Sequence, residues 1–258
     1  MLDVAKKAAL AGGKILKAYF LKELSIEYKS NIHDLVTQAD LESQKTIVNT
    51  ISKEMRSLYR EVPFGFIGEE KKLNSPKKVT FIIDPLDGTT NFASGLDYFS
   101  VSIGVVVDGI IKAGVVYDVT RNTLFTAELK KGAYKNGAKL KLLSKKRLQE
   151  AILLCYRRSA MTVSTIEPFI ARDIRMLGSL ALDFSRIAEG SADILFSRGG
   201  YIWDIAAGMI ILSEAGGGTV NWNGRLFSLD LKNTSKLYPL VASTNLLIKE
   251  FLPYIKNK

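Results

Sequence analysis

The sequence predicts a mixed protein in which an α+β half is followed by an α/β half. Three observations carry this. Near the N-terminus apolar residues recur at helical spacing (Val4, Ala8, Ala11, Ile15). From Tyr98 to Thr126 apolar runs alternate with turn signals, which reads as one strand after another. Beyond Gln149 strand-like and helix-like stretches alternate. The polar stretch Leu143 to Gln149 reads as the boundary, giving parts of residues 1–143 and 144–258. A chain of 258 residues suffices for one large domain or two moderate ones.

In order, residues 2–23 read as an amphipathic helix. Within it Gly12-Gly13-Lys14 lacks the spacing of a phosphate loop and reads as helix packing. Residues 25–40 are polar and irregular, and a helix follows from about Leu41 to Arg60. Taken alone, Asp40 is its N-cap. A short apolar run at 64–67 ends in Gly68-Glu69-Glu70, by itself a surface turn beside Lys71 and Lys72.

Phe81-Ile82-Ile83 is a buried strand that runs into Asp84-Pro85-Leu86-Asp87-Gly88-Thr89-Thr90-Asn91-Phe92. Pro85 interrupts the ladder, so Asp84 and Asp87 are expected on a tight turn just past the strand end. Gly88 permits a bend or a close approach to a ligand, and Thr89, Thr90 and Asn91 are helix starters. Hard oxygen ligands thus lie beside donors for an anion, a combination suited to metal and phosphate together.

Val101–Val107 and Ile110–Tyr117 flank Asp108-Gly109, a hairpin signal; Arg121-Asn122 is another turn, and residues 131–137 another hairpin. After the boundary come strands at Ala151–Tyr156 and Ile174–Leu177, then Gly178-Ser179 and a helix over Leu180–Glu189. A strand at Ala192–Phe196 precedes a helix opened by Trp203-Asp204 that reaches about Ala215, where Gly216-Gly217-Gly218 stops it. Alone, Asp204 would cap that helix.

Composition is globular, 47% hydrophobic and 24% charged, which excludes a disordered chain. Cys155 is the single cysteine, so no disulfide framework forms within the chain; a buried role and a reducing, cytoplasmic setting are expected. Lys6, Lys7 and Lys14 argue against a signal peptide, and no apolar run is long enough to span a membrane. Net charge is +10, and eight basic residues with no acidic one lie between Lys130 and Arg147. Only Tyr134 interleaves that segment, so a solvated connector is the preferred reading over a nucleic-acid or membrane patch.

Five segments resemble the inositol monophosphatase family of the lithium-sensitive, magnesium-dependent sugar-phosphatase superfamily. They are Asp34-Leu35-Val36-Thr37 with Asp40, Gly68-Glu69-Glu70, the Asp84–Thr89 string, 131–137, and Trp203-Asp204-Ile205-Ala206-Ala207-Gly208. The resemblance implies a layered α-β-α-β-α sandwich and Mg²⁺-dependent hydrolysis of phosphate monoesters by in-line attack of an activated water. It implies one metal on Glu69, Asp84 and the Leu86 carbonyl, and a second on Asp84, Asp87 and Asp204. A weaker third would share Glu69, giving two or three Mg²⁺ per site, with Mn²⁺ as the alternative. An all-oxygen set selects these ions over zinc. Thr89 would orient the water, Asp40 would accept its proton through Thr89, and the amides of Gly88 and Thr89 would hold the phosphate. The loop from about Lys29 to Asp40 is polar enough to close over the metals. A homo-oligomer, dimer or tetramer, is usual for the family.

Inositol-specialised members carry a Glu seven residues before the Trp-Asp aspartate and a His three before it; here these are Ser197 and Tyr201. Arg175 and Arg198, with Arg157 and Arg158, suit a second phosphate. The pattern is closest to archaeal-type dual fructose-1,6-bisphosphatase/inositol monophosphatases, so fructose 1,6-bisphosphate and inositol 1-phosphate are the expected substrates. Ser179 either contacts the sugar or caps its helix. The alternatives are a 3′-phosphoadenosine 5′-phosphate phosphatase and a nucleic-acid-binding protein with a vestigial site.

Overall fold

A computed structural model describes residues 1–22, 26–28, 35–70, 73–142, 147–156 and 170–255. Helix α1 (Leu2–Tyr19) buries Val4, Ala5, Ala8, Ala9, Gly12, Gly13 and Leu16. The small residues on that face permit close approach. A Cβ on Gly12 would meet Ile47 at 2.7 Å, and one on Gly13 would meet the Tyr117 ring at 2.3 Å. The glycine pair is therefore a packing device, as expected. Two short strands, β1 (Ile26–Tyr28) and β2 (Leu35–Thr37), pair antiparallel where an irregular loop was expected. Helix α2 (Gln38–Leu58) follows directly and lies against α1.

Seven strands then form one sheet in the order β3-β4-β5-β6-β7-β8-β9. They are β3 (Phe64–Gly68), β4 (Val79–Asp87), β5 (Ser100–Val107), β6 (Ile110–Asp118), β7 (Thr123–Glu128), β8 (Gly132–Lys135) and β9 (Ala138–Lys139), with α3 (Thr89–Ala93) between β4 and β5. Only β3 and β4 pair in parallel. Asp108 and Gly109, at φ 51° and 78°, make the two-residue turn that joins β5 to β6. Alternation splits β4 between two cores. Phe81 and Ile83 face α1 and α2, and Ile82 faces the opposite layer.

A second sheet has the order β11-β10-β12-β14-β13. Its strands are β10 (Ile152–Tyr156), β11 (Asp173–Arg175), β12 (Ile194–Gly200), β13 (Gly218–Val220) and β14 (Tyr238–Ser243). Between the sheets lie two helices, here α4 (Leu180–Glu189) and α5 (Ile202–Ala215), sharing one apolar cluster with both. That sandwiching explains why α5 is apolar around its circumference. A last helix, α6 (Asn245–Phe251), covers the outer face with Leu247, Ile248 and Phe251. The layers are α1/α2, sheet, α4/α5, sheet, α6, the sandwich expected. All strands of the larger sheet precede residue 143, and all strands of the smaller one follow it. Among the described residues no helix is long and apolar enough to cross a membrane.

One expectation is corrected at the centre. Strand β4 does not stop at Pro85; it pairs with β5 as far as Asp87, with a register shift between Asp84 and Asp87. Proline has no N–H to offer, and a bulge is where a sheet tolerates that. The two acids therefore sit on a paired, bulged strand end that holds them more firmly than a free turn.

Candidate active site

The bulge turns several groups in β4 toward one cleft. Asp84 Oδ1 accepts the Leu86 N–H at 3.0 Å, and the Ser43 hydroxyl donates to the Pro85 carbonyl at 3.0 Å. Gly88 then takes φ 102°, a left-handed conformation that favours glycine, and a Cβ there would meet the Tyr98 carbonyl oxygen at 3.0 Å. Thr89 opens α3 with its hydroxyl 3.0 Å from the Leu86 carbonyl and 3.2 Å from Asp40 Oδ1.

Asp40 is not the N-cap of α2. Thr37 caps the helix, and Asp40 stands three positions on in a capping box. Its Oδ2 accepts the Thr37 N–H at 2.9 Å and the Thr37 hydroxyl at 2.6 Å, while Oδ1 faces Thr89. Capping and contact with the site thus use different oxygens of one fully buried carboxylate. Asp34 and Lys29 lie outside the described residues.

Asp87 is held from across the layer. It accepts the Ser179 hydroxyl at 2.5 Å and the N–H groups of Ala181 at 2.7 Å and Leu180 at 3.2 Å. Ser179 also accepts the Leu182 N–H as the N-cap of α4. Its hydroxyl is fully buried and engaged on both sides, so it caps the helix and holds Asp87. Asp204, in the first turn of α5, accepts the Tyr201 N–H at 2.7 Å. Glu69 follows β3, where its own N–H reaches the Ile83 carbonyl at 3.3 Å.

Glu69, Asp84, Leu86, Asp87, Gly88, Thr89 and Asp204 line one cleft of about 260 Å³. Cys155, Tyr156, Met176 and Leu177 also line it, a wall the sequence did not announce. Burial pushes the Cys155 thiol up to about 12, which leaves it an inert surface. Arg175 and Arg198 are not among the lining residues. Arg175 is exposed on edge strand β11 and ion-paired with Asp173, and Arg198 is exposed over the Trp222 ring, 6.0 Å from its centre. Arg157 and Arg158 lie outside the described residues.

The electrostatics are one-sided. Burial, then the charges of Glu69, Asp87 and Asp204, hold the Asp84 carboxyl well above the usual range. Burial, then Asp87 and Glu69, does the same to Asp204. Burial pushes Asp87 to about 6, although hydrogen bonds from Ser179, Ala181 and Leu180 oppose it. Among the described lining residues none is lysine, arginine or histidine. Among the described residues no three carboxylate, thiol or imidazole side chains already stand close enough together to hold a metal ion. The acids instead face an open cleft, and the described residues that line it bring like charges together. Carboxylate oxygens with one backbone carbonyl are the donor set of a small hard dication, so the residues fit Mg²⁺.

The inositol monophosphatase family model matches residues 1–255. The chain belongs to the inositol monophosphatase family. It is therefore a phosphatase, in a family generally dependent on Mg²⁺. It is 33% identical to the inositol monophosphatase of Mesembryanthemum crystallinum over 258 residues, covering 94% of this chain and 93% of that one. It is 36% identical over 270 residues to a protein named Nus factor SuhB from Pasteurella multocida, covering 99% and 96%. Among solved structures it is similar to a Thermotoga maritima IMPase and to the suhB protein of Bartonella henselae. Each superposes with a TM-score of 0.87 at 29% identity, covering 98% of this chain and 96% of the first, and 99% and 98% for the second.

Proposed function

We propose that this phosphatase hydrolyses monoesters of small polyols, inositol monophosphate being the type substrate, with Glu69, Asp84, Asp87, Asp204 and the Leu86 carbonyl holding two or three Mg²⁺. When bound, Mg²⁺ neutralises phosphoryl oxygens, lowers the pKa of a coordinated water and stabilises the leaving alkoxide. The chain's own residues supply position and a proton path. The Thr89 hydroxyl, donating to Asp40, keeps lone pairs free to orient a water. Asp40, shielded from solvent, is the acceptor at the end of that path. Gly88 and Thr89 present the turn against which a phosphate would rest. The observation that carries the reading is the Asp40–Thr89–Leu86 contact beside carboxylates that converge on one cleft.

With Arg175 and Arg198 outside the cleft lining, a second phosphate loses the support those residues were expected to give. Fructose 1,6-bisphosphate therefore ranks below inositol 1-phosphate here, and the archaeal-type dual activity becomes a point to measure. Phosphate release from both and from 3′-phosphoadenosine 5′-phosphate, across an Mg²⁺ titration, tests the reading. Expected is Mg²⁺-dependent turnover of inositol 1-phosphate, lowered about a hundredfold or more in Thr89→Ala at saturating Mg²⁺. Mg²⁺-independent turnover, or turnover of the nucleotide alone, would sink it.

The name Nus factor among the relatives favours a second reading, a non-catalytic binding role. Two lysines of the basic segment are committed within the fold, Lys131 to Glu128 and Lys135 to Glu189, each at 2.6 Å. Salt-dependent binding of single-stranded RNA that survives loss of the phosphatase site would support this role. A homo-oligomer, dimer or tetramer, belongs to the first reading and is checked by sedimentation.

A further inference from the structure

We infer that Gln44 is a positioning residue for Glu69, setting the metal-holding arm after β3 from the side of helix α2. The inference rests on the metal reading proposed above. Asp40, Ser43 and Gln44 stand at i, i+3 and i+4, which places them on one face of α2. All three are buried, although each is polar. Each reaches a different segment of the site: Asp40 the Thr89 hydroxyl, Ser43 the Pro85 carbonyl, and Gln44 the turn that carries Glu69.

The Gln44 contact is the tightest in its geometry. Its Nε2 donates to the Glu70 carbonyl at 2.8 Å, and its Oε1 accepts the Glu70 N–H at 3.1 Å. One carboxamide thus holds both backbone groups of the residue next to Glu69, as a neighbouring strand would. The turn is closed by the Gly68 N–H on the Leu73 carbonyl at 2.8 Å, and its other bonds are longer. Leu73 N–H reaches the same Glu70 carbonyl only at 3.4 Å, and Glu69 N–H reaches Ile83 at 3.3 Å. Gly68 makes room for the clamp, because a Cβ there would lie 2.8 Å from Gln44 Oε1. The backbone on the C-terminal side of Glu69 is therefore oriented by a side chain from another layer, and that on the N-terminal side by the Gly68–Leu73 bond. Both polar ends of that buried amide are satisfied only while the turn keeps its shape.

Gln44→Met keeps length and burial and removes both hydrogen bonds. Mn²⁺ alone, titrated into the protein and followed by electron paramagnetic resonance, reads metal affinity without turnover. Expected are Mn²⁺ binding weaker by about tenfold, from two lost neutral hydrogen bonds, and a similar rise in half-saturating Mg²⁺ for phosphate release. At saturating Mg²⁺, kcat should stay within about threefold of wild type, because Asp40 and Thr89 are untouched. Gly68→Ala, which displaces the carboxamide without touching Gln44, should reproduce the split and serves if Gln44→Met folds poorly. Thr50→Ala removes a hydroxyl bonded to the Thr46 carbonyl further along α2 and should leave both readouts unchanged.

Wild-type Mn²⁺ affinity in Gln44→Met and Gly68→Ala would overturn the inference. So would a fall in kcat at unchanged metal affinity, or a loss shared equally by Thr50→Ala. Wild-type protein that takes up no Mn²⁺ would overturn the metal reading and this inference with it. Wild-type protein that binds Mn²⁺ yet releases no phosphate, with Gln44→Met about tenfold weaker, would uphold this inference and sink the substrate reading.

Discussion

The acids at the end of β4 and the acids around α4 are buried alike but have different neighbours. Asp118, fully buried, receives Arg186 at 2.6 Å. Glu189 receives Lys135 at 2.6 Å and Arg186 at 2.7 Å. Burial pushes Glu189 upward, but the hydrogen bonds from Lys135 and Arg186 outweigh it and leave the carboxyl below its usual range. Arg186 also lies 5.7 Å from the Tyr98 ring centre, and Tyr98 donates to buried Asp183. Asp84, Asp87 and Asp204 meet hydroxyl and backbone donors, Asp84 and Asp204 share a hydrogen bond with each other, and all three are pushed the other way. Asp118 and Glu189 are thus each met by arginine or lysine, whereas Asp183, which accepts the Tyr98 hydroxyl, is pushed upward by burial as the β4 acids are. At the β4 end, where the acids converge on the cleft, the proposed Mg²⁺ would supply the positive charge.

The largest expected effect breaks the carboxylate cluster of the cleft. Asp84→Asn should lower Mg²⁺-dependent phosphate release about a thousandfold or more. In metal-free buffer the same variant should melt at a higher temperature than wild type, because one of the crowded carboxylates is gone. A lower metal-free melting temperature would mean that the cluster is structural after all.

Next comes the compensated group. Arg186→Met leaves Asp118 buried without its close partner and should cost about 3–5 kcal/mol in urea unfolding. Activity per folded molecule should be unchanged; a shift in half-saturating Mg²⁺ would show that the two groups are coupled. Smaller still is Ser179→Ala, which removes the shortest bond to Asp87. Asp87 should then protonate at higher pH, moving the acid limb of Mn²⁺ binding upward by about half a unit. No movement would return Ser179 to helix capping alone.

Much of this arrangement is readable from residue order. Phe81-Ile82-Ile83, Asp108-Gly109 and Trp203-Asp204 each give a local signal strong enough to survive tertiary packing. The ribbon β1–β2 gives none, because two strands of three residues are too short to show a period. Strand β14 and helix α6 lie in the C-terminal stretch, where no site motif directed attention. The passage of β4 through Pro85 depends on a bulge, which is a property of the partner strand as well. Asp40 was legible as an acid before a helix, but its cap partner Thr37 had to be seen.

Ser43 and Gln44 carry no motif that would single them out within the helix, and only the packed layers show them buried. Arg175 is the converse case. Sequence supplies a guanidinium but not its direction, and Asp173, two residues back on the same side of an edge strand, claims it. Cys155 and Tyr156 end β10, and Met176 and Leu177 follow β11. Their meeting in one wall is a consequence of the parallel pairing of those strands.

The β4 acids are expected to hold protons only until a cation replaces them. Asp87 ordinarily titrates near 3.8 and here near 6, so its contribution favours the metal-free fold at low pH and is lost as pH rises from about 4 through 6. Metal uptake should reverse this by expelling the proton. The decisive measurement is calorimetric titration of Mg²⁺ into metal-free protein at pH 6, in two buffers of different ionisation enthalpy. We expect apparent heats that differ between buffers by the amount of about one proton or more released per site. Identical heats in the two buffers would mean that no proton leaves, and would contradict the account.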